Sequence, residues 1–155
     1  MHTWFECKIQ YEKAMENGMN KKVTEPYLVD ALSFTEAEAR IIEEMTPYIS
    51  GEFTVSDIKR ARYSELFFAE DTEADRWVKC KLTFITLDEK SGSEKKTSTN
   101  VLVQATDLRD AVKKLDEGMK GSMADYIIAS VAETAIMDVY PYTEGPNDKP
   151  EFPEA

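Results

Sequence analysis

Histidine, glycine and proline are all scarce in this sequence of 155 residues. The single histidine, His2, stands beside the N-terminus, so a Ser/His/Asp or Cys/His catalytic arrangement has no internal base unless His2 folds back. The six glycines are scattered, and no Gly-x-x-x-x-Gly-Lys stretch indicates a phosphate-binding loop. We therefore expect no catalytic residues of these kinds and no cofactor, and the sequence favours a protein that is not an enzyme.

Cysteine is equally rare, because Cys7 and Cys80 are the only two in the chain. A zinc site wants about four Cys or His ligands, so no metal site is expected. Each cysteine stands in the middle of an alternating apolar run, which indicates two buried free thiols rather than a disulfide. Free thiols and the lack of a basic-then-apolar N-terminal signal predict a cytoplasmic protein.

Basic residues and long apolar runs are also in short supply. With 19 Lys and Arg against 30 Asp and Glu, the net charge is −11, which disfavours non-specific binding to nucleic acid because phosphate contacts need clustered basic side chains. No apolar run approaches the roughly 18 residues of a membrane span, so we expect no membrane partner. A hydrophobic share of 42% is nevertheless enough for one folded domain of ordinary size.

The sequence contains one pattern twice. Three stretches return at almost one spacing: Trp4–Ile9 as Trp77–Leu82, Ala31–Met45 as Ala105–Met119, and Phe53–Phe67 as Tyr126–Tyr140. Matches of this kind indicate a tandem repeat. We therefore predict one globular domain over residues 1–142, made of repeats 3–68 and 76–142, followed by a disordered, acidic, proline-rich tail over 143–155.

Each repeat predicts a strand, a second strand, a helix and a third strand. The first strand alternates, with Phe5, Cys7 and Ile9 on one face. Ser33 followed by Glu36 is a capping-box pattern that predicts the start of the helix. The predicted fold is α+β: a tandem β-β-α-β repeat with pseudo-two-fold symmetry, a mainly antiparallel sheet, and two helices on one face.

The third strands of the two repeats differ in charge. The apolar run Ile127–Ala132 predicts a central strand that is covered on both faces. Its charged counterpart, Lys59–Arg62, predicts an edge strand or a binding stripe, with a slip of the alternation near Ser56 that suggests a β-bulge. Arg60 and Arg62 share a side, so both can meet one acidic ligand, or they can pair with nearby carboxylates.

Three stretches carry a family resemblance: Trp4–Lys8, Lys21–Ala31 and Ser33–Arg40. They resemble an uncharacterised family of small bacterial and phage proteins, catalogued as domain of unknown function 4494. The resemblance covers positions 4 to about 142. It implies bacterial or phage origin and an intracellular protein, and it implies no catalytic residues.

The face opposite the predicted helices carries the first candidate site. Trp4 and Trp77 alternate to that side, beside Leu28 and Leu102. A helix-free sheet face with two Trp and two Leu needs covering. Either a partner or a second copy covers it, or the chain itself does so with its other half or with an added strand.

The predicted hairpin tips carry the second candidate, Lys21, Lys22, Lys95 and Lys96. Paired basic hairpins can grip the phosphates of a nucleic acid. Lysine on an exposed strand edge is also the usual guard against strand-to-strand aggregation.

These observations favour a non-enzymatic interaction module that self-associates through the helix-free sheet face, as a homo-oligomer or with a protein partner. The alternative is a nucleic-acid-linked phage or bacterial protein, which grips phosphates with its basic hairpins or mimics DNA with its own carboxylates. An enzyme acting through Tyr, Lys and carboxylates is the third reading.

Overall fold

The computed structural model describes residues 3–122 and 125–141, so the predicted tail over 143–155 lies outside the described residues. Its elements, in chain order, are β1 (Trp4–Ala14), β2 (Asn20–Asp30), α1 (Phe34–Met45), β3 (Phe53–Ala61), β4 (Glu65–Phe67), β5 (Arg76–Leu87), β6 (Glu94–Ala105), α2 (Leu108–Gly118), β7 (Tyr126–Glu133) and β8 (Val139–Tyr140). Two helices and mainly antiparallel strands make this an α+β protein, as predicted.

The chain divides into two compact units whose limits differ from those of the predicted repeats. The first unit holds residues up to Ala61 together with those from Met137 onward, and the second holds Arg62–Ile136. β4 therefore belongs to the second unit and β8 to the first. Each of these short strands pairs in parallel with a strand that is distant in sequence, β4 with β6 and β8 with β2.

Each unit contains its own four-stranded sheet. The first sheet has the order β3-β1-β2-β8, and the second, read in the corresponding sense, has the order β7-β5-β6-β4. The strand register shifts once in each sheet, between Lys8 and Ile9 in β1 and between Lys81 and Leu82 in β5. The first shift is the β-bulge that was predicted near Ser56. β7 lies at the edge of its sheet, so the prediction of a central strand over Ile127–Ala132 is wrong.

The short strand β8 is held by contacts on both sides of it. The Leu28 N–H donates to the Asp138 carbonyl at 3.0 Å, and the Arg40 guanidinium of α1 donates to the Pro141 carbonyl at 3.1 Å. The Val139 side chain is buried. Residues near the end of the described chain thus complete the sheet that its first residues begin.

Each helix buries one apolar stripe against the sheet of its own unit. In the first unit the packed residues are Phe5, Cys7, Ile9, Val29, Ala31, Ala37, Ile41 and Met45. In the second unit they are Val78, Cys80, Leu82, Val101, Val103, Ala105, Ala111 and Leu115. The predicted strand alternation and the two buried free thiols are confirmed. Burial raises the pKa of the Cys7 thiol to about 12, which keeps it protonated and unreactive at neutral pH.

Both helices begin at a polar cap, and the cap at Ser33 is the one that the capping-box pattern predicts. The Ser33 hydroxyl accepts from the Glu36 N–H at 3.1 Å, and the Asp107 carboxylate accepts from the Asp110 N–H at 2.8 Å. A cap of this kind contributes about 1 kcal/mol. Within the described residues, neither helix has the length and apolar character needed to cross a bilayer.

Candidate functional site

The four apolar residues opposite the helices are buried. Trp4 is 4% exposed, Trp77 is 2% exposed, and Leu28 and Leu102 are fully buried. Of the two alternatives that the sequence leaves open, the structure shows the second, in which the chain itself covers this face. Part of the reason is the strand extension that sequence reasoning left open: β8 lies beside Leu28, and β4 lies beside Leu102.

In the second unit the segment that leads into β5 closes over Trp77. The Phe68 ring meets the Trp77 ring edge-on, with 5.5 Å between centroids. The Gln104 side chain, which lies opposite Trp77 on β6, accepts from the Ala69 N–H at 3.0 Å and donates to the Ala74 carbonyl at 3.1 Å. These contacts make Trp77 a core residue of its unit.

The four hairpin lysines lie where they were predicted, near the exposed starts of β2 and β6. Lys22 lies opposite Glu12 in the register, and Lys95 and Lys96 follow Glu94. Each tip therefore mixes both signs of charge. The two hairpins belong to different units.

The two arginines are not brought together on one strand. Arg60 lies in β3 with its guanidinium carbon 5.9 Å from the centroid of the Phe5 ring, which makes a cation–π contact on the helix side of the sheet. β3 ends at Ala61, and Arg62 belongs to the second unit. β3 therefore carries Arg60 and ends before Arg62.

A lysine of α2 engages the acidic segment before β5. The Lys114 ammonium lies 2.9 Å from the Asp71 carboxylate and 2.9 Å from the Asp110 carboxylate. The hydrogen bond from Lys114 holds the pKa of Asp71 below its usual value. This pairing anchors the segment to the helix.

One polar cluster was missed at the sequence level. The Tyr11 and Tyr27 hydroxyls both donate to one oxygen of the Glu25 carboxylate, at 3.0 and 3.2 Å, and the Tyr27 ring stacks on that of Tyr140 at 6.3 Å. Burial, with help from Glu25, raises the pKa of Tyr27. The phenol therefore stays protonated at neutral pH and acts as a hydrogen-bond donor. The sequence did contain a signal for this cluster: Glu25 lies two residues before Tyr27 on the same strand, which places a carboxylate on the helix-facing side of the sheet.

β7 presents an open strand edge. On one side it pairs with β5, and no strand within residues 3–122 and 125–141 pairs with its other side. Ile127 is 53% exposed, and Ala129, Ser130 and Ala132 are also exposed. No residue from Tyr126 to Ala132 carries a charge. An uncharged, proline-free edge strand is a template for pairing with another strand.

The edge strand of the first sheet is built differently. β3 carries Asp57, Lys59 and Arg60, which are exposed. Charged side chains on an edge discourage pairing with a further strand. Of the two long edge strands, β3 and β7, it is β7 whose side chains allow a partner strand.

Comparison with protein families identifies the chain. The family described as Domain of unknown function (DUF4494) matches residues 3–142. Since the match spans most of the sequence, the chain belongs to this family, as the resemblance predicted. The searches of curated proteins and of solved structures give no match.

Proposed function

We propose that this protein is a non-enzymatic interaction module that adds an extended segment of a protein partner to the free edge of β7. The observation that carries the proposal is the uncharged edge from Tyr126 to Ala132. In strand addition the backbone hydrogen bonds supply affinity, and alternate side chains supply specificity. The exposed Ile127 side chain is the largest apolar contact that this edge offers on the face opposite α2.

This proposal keeps the predicted kind of function and moves its location. The buried Trp4 and Trp77 are available to a partner only if the unit opens, whereas the β7 backbone needs no rearrangement. Binding energy is lost when a partner must first order or open the surface it binds. The β7 edge can therefore bind a partner at a lower free-energy cost than the face that carries Trp4 and Trp77.

We also infer that the two units arose from a tandem repeat related by a pseudo-two-fold axis. The support is the matching strand order and the matching bulge, which falls before Ile9 in one sheet and before Leu82 in the other. In this reading, β4 and β8 are the same strand of the repeat. Each copy gives that strand to the other unit.

A nucleic-acid role is the alternative proposal, with Lys21, Lys22, Lys95 and Lys96 as the phosphate contacts. Such binding would weaken steeply as salt rises, because condensed counterions are released from the nucleic acid. A cytoplasmic location and bacterial or phage origin are also proposed. The free, buried thiols Cys7 and Cys80 support a reducing compartment.

A peptide-display selection against the immobilised protein tests the strand-addition proposal. We expect enriched peptides with alternating apolar residues that bind the wild type and lose binding to Ile127→Lys, because a charge on the edge opposes pairing. The matched control is Thr54→Lys, which places the same charge on the exposed face of β3. Peptides that bind both variants as they bind the wild type would rule out the β7 edge.

A further inference from the structure

We infer that the strand which occupies the β7 edge is β7 of a second copy, so that the protein forms a two-fold dimer with one continuous eight-stranded sheet. This inference rests on the proposed function and names its partner. An isologous contact needs a surface that is complementary to itself. β7 meets this condition in the antiparallel register that pairs Ile128 with Val131 of the second copy.

The register follows from the two faces of β7. Tyr126, Ile128 and Val131 face α2, because they pack on the helix-side core. Ile127 and Ala132 face the other way, and the bulge at Ala129 accounts for the break in alternation. An antiparallel pairing of Ile128 with Val131 of the second copy sets Ile127 opposite Ala132 of that copy. Helix face then meets helix face on both sides of the bulge.

The same register avoids like charges. Glu133 comes opposite Tyr126 of the second copy, and Asp125 comes opposite Thr134, so no carboxylate faces another. Glu133 is already paired with Arg76, at 3.4 Å. On the face opposite α2, the strand next to β7 adds positive charge, with Lys79 beside Ala132 and Lys81 beside Ser130. A chain of net charge −11 thus approaches its copy along a strip that is locally neutral to basic.

Sedimentation equilibrium of the full chain, over about 1 μM to about 1 mM, tests the inference at affinities typical of small interfaces. We expect a monomer–dimer equilibrium that Ile127→Lys weakens by at least about tenfold, since each Lys loses an apolar contact across the new pair. The control Thr54→Lys should leave the equilibrium unchanged. A dimer that is equally sensitive to both variants would overturn the register.

A second variant tests the register, and recovery of its dimerisation would show that the loss in Ile127→Lys is not due to misfolding. Combining Ile127→Lys with Ala132→Glu sets each new Lys opposite a new Glu of the other copy, so dimerisation should recover relative to Ile127→Lys alone. Circular dichroism verifies that both variants are folded. Failure of the pair to recover, with folding intact, would refute the proposed pairing.

Two further outcomes separate this inference from the proposed function. Added salt should tighten the dimer, because it screens repulsion between two acidic chains. A wild type that stays monomeric while displayed peptides still bind would refute the second copy and retain strand addition. A monomer that dimerises only after residues 143–155 are removed would assign the edge to the chain's own C-terminal segment and overturn the inference.

Discussion

The two units share one layout and differ in their interiors and in their long edge strands. Both have a four-stranded sheet, a helix on one face, a short parallel strand at one edge and a bulged strand at the other. The bulges define matching positions. Ile9 follows the first and pairs with Glu25, while Leu82 follows the second and pairs with Thr99. Side chains at matching positions are therefore directly comparable.

The interior beside the short parallel strand is polar in one unit and apolar in the other. In the first unit, Tyr27 and Tyr140 stack near Glu25. In the second unit, the positions of these tyrosines are held by Val101 and Phe67, which pack in the apolar core. The same backbone thus tolerates either a hydrogen-bonded or a purely packed interior.

The two units also differ in the charge of their long edge strands, β3 and β7. The first unit guards β3 with Asp57, Lys59 and Arg60, whereas the second leaves β7 without a charge before Glu133. The fold does not require charged side chains on one edge strand and none on the other, since both sheets have the same strand order. This difference is why we propose that the interaction surface lies in the second unit.

The largest expected effect tests what the two units have in common. Trp4→Ala and Trp77→Ala should each lower the free energy of unfolding by about 3–5 kcal/mol, because each empties a buried aromatic site. Denaturant unfolding measures both changes. The control Leu87→Ala, at a side chain that is 66% exposed, should stay within about 0.5 kcal/mol.

The same variants bear on the original interface hypothesis. If the folded fraction of either variant associates as the wild type does, the rings are core residues. A variant that keeps its stability and loses association would return Trp4 and Trp77 to the interface and erase the contrast between the edges.

The second largest effect is expected at Gly118, in the last turn of α2, where the matching residue of α1 is Glu44. A Cβ added at Gly118 would lie 2.7 Å from Cε1 of Phe67, so Gly118→Ala must displace that ring. We expect a loss of about 1–2 kcal/mol, since the overpacking outweighs the roughly 1 kcal/mol that alanine gains in a helix. The matched control is Glu44→Ala in α1, which should change stability by less than about 0.5 kcal/mol.

Thermal or denaturant unfolding of both variants decides the point. Adding Phe67→Leu to Gly118→Ala should cost less than the two single changes together, because the shorter side chain relieves the contact. A stabilising Gly118→Ala would mean that the Phe67 ring moves without cost. The two helix ends would then be equivalent.

Much of each unit could be predicted from sequence, because strand alternation and helix caps are local. The faces of Phe5, Cys7 and Ile9 and the cap at Ser33 depend on neighbours within a few residues. β4 and β8 have three and two residues, too few for alternation to identify a strand or its partner. Their parallel pairing over a long sequence distance therefore escaped prediction.

The site was predicted less well for a related reason. An alternating pattern reports which face a side chain occupies and does not report what covers that face. Trp4 and Leu28 were therefore placed on the correct face, while the choice between a partner and the chain itself as the cover stayed open. Apolar content made Ile127–Ala132 resemble a central strand. Position within a sheet is decided by pairing, and pairing placed β7 at the edge.

The smallest expected effect is a pH dependence of stability that arises in the polar interior of the first unit and not in the apolar interior of the second. Burial raises the pKa of both Tyr27 and Tyr140, and nearby carboxylates add to it. A raised folded-state pKa gives stability that is complete below the ordinary tyrosine value of about 10 and is lost as pH rises through the folded-state value. The first unit should therefore lose stability in alkali through these two phenols.

Combining Tyr27→Phe with Tyr140→Phe should flatten this alkaline loss. At neutral pH the variant should be about 1 kcal/mol less stable, because the hydrogen bond from Tyr27 to Glu25 is gone. Above about pH 10 the difference from the wild type should shrink or reverse, since neither ring can ionise. Melting temperatures across this range measure the difference in stability. The control is Tyr48→Phe, an exposed position that should stay closer to the wild type than the double variant does. Buried thiols in both units add an alkaline loss common to wild type and variant, so it cancels in the difference. If the two curves stay parallel to the highest pH, Tyr27 and Tyr140 ionise as freely as exposed phenols, and the polar interior of the first unit is open to water.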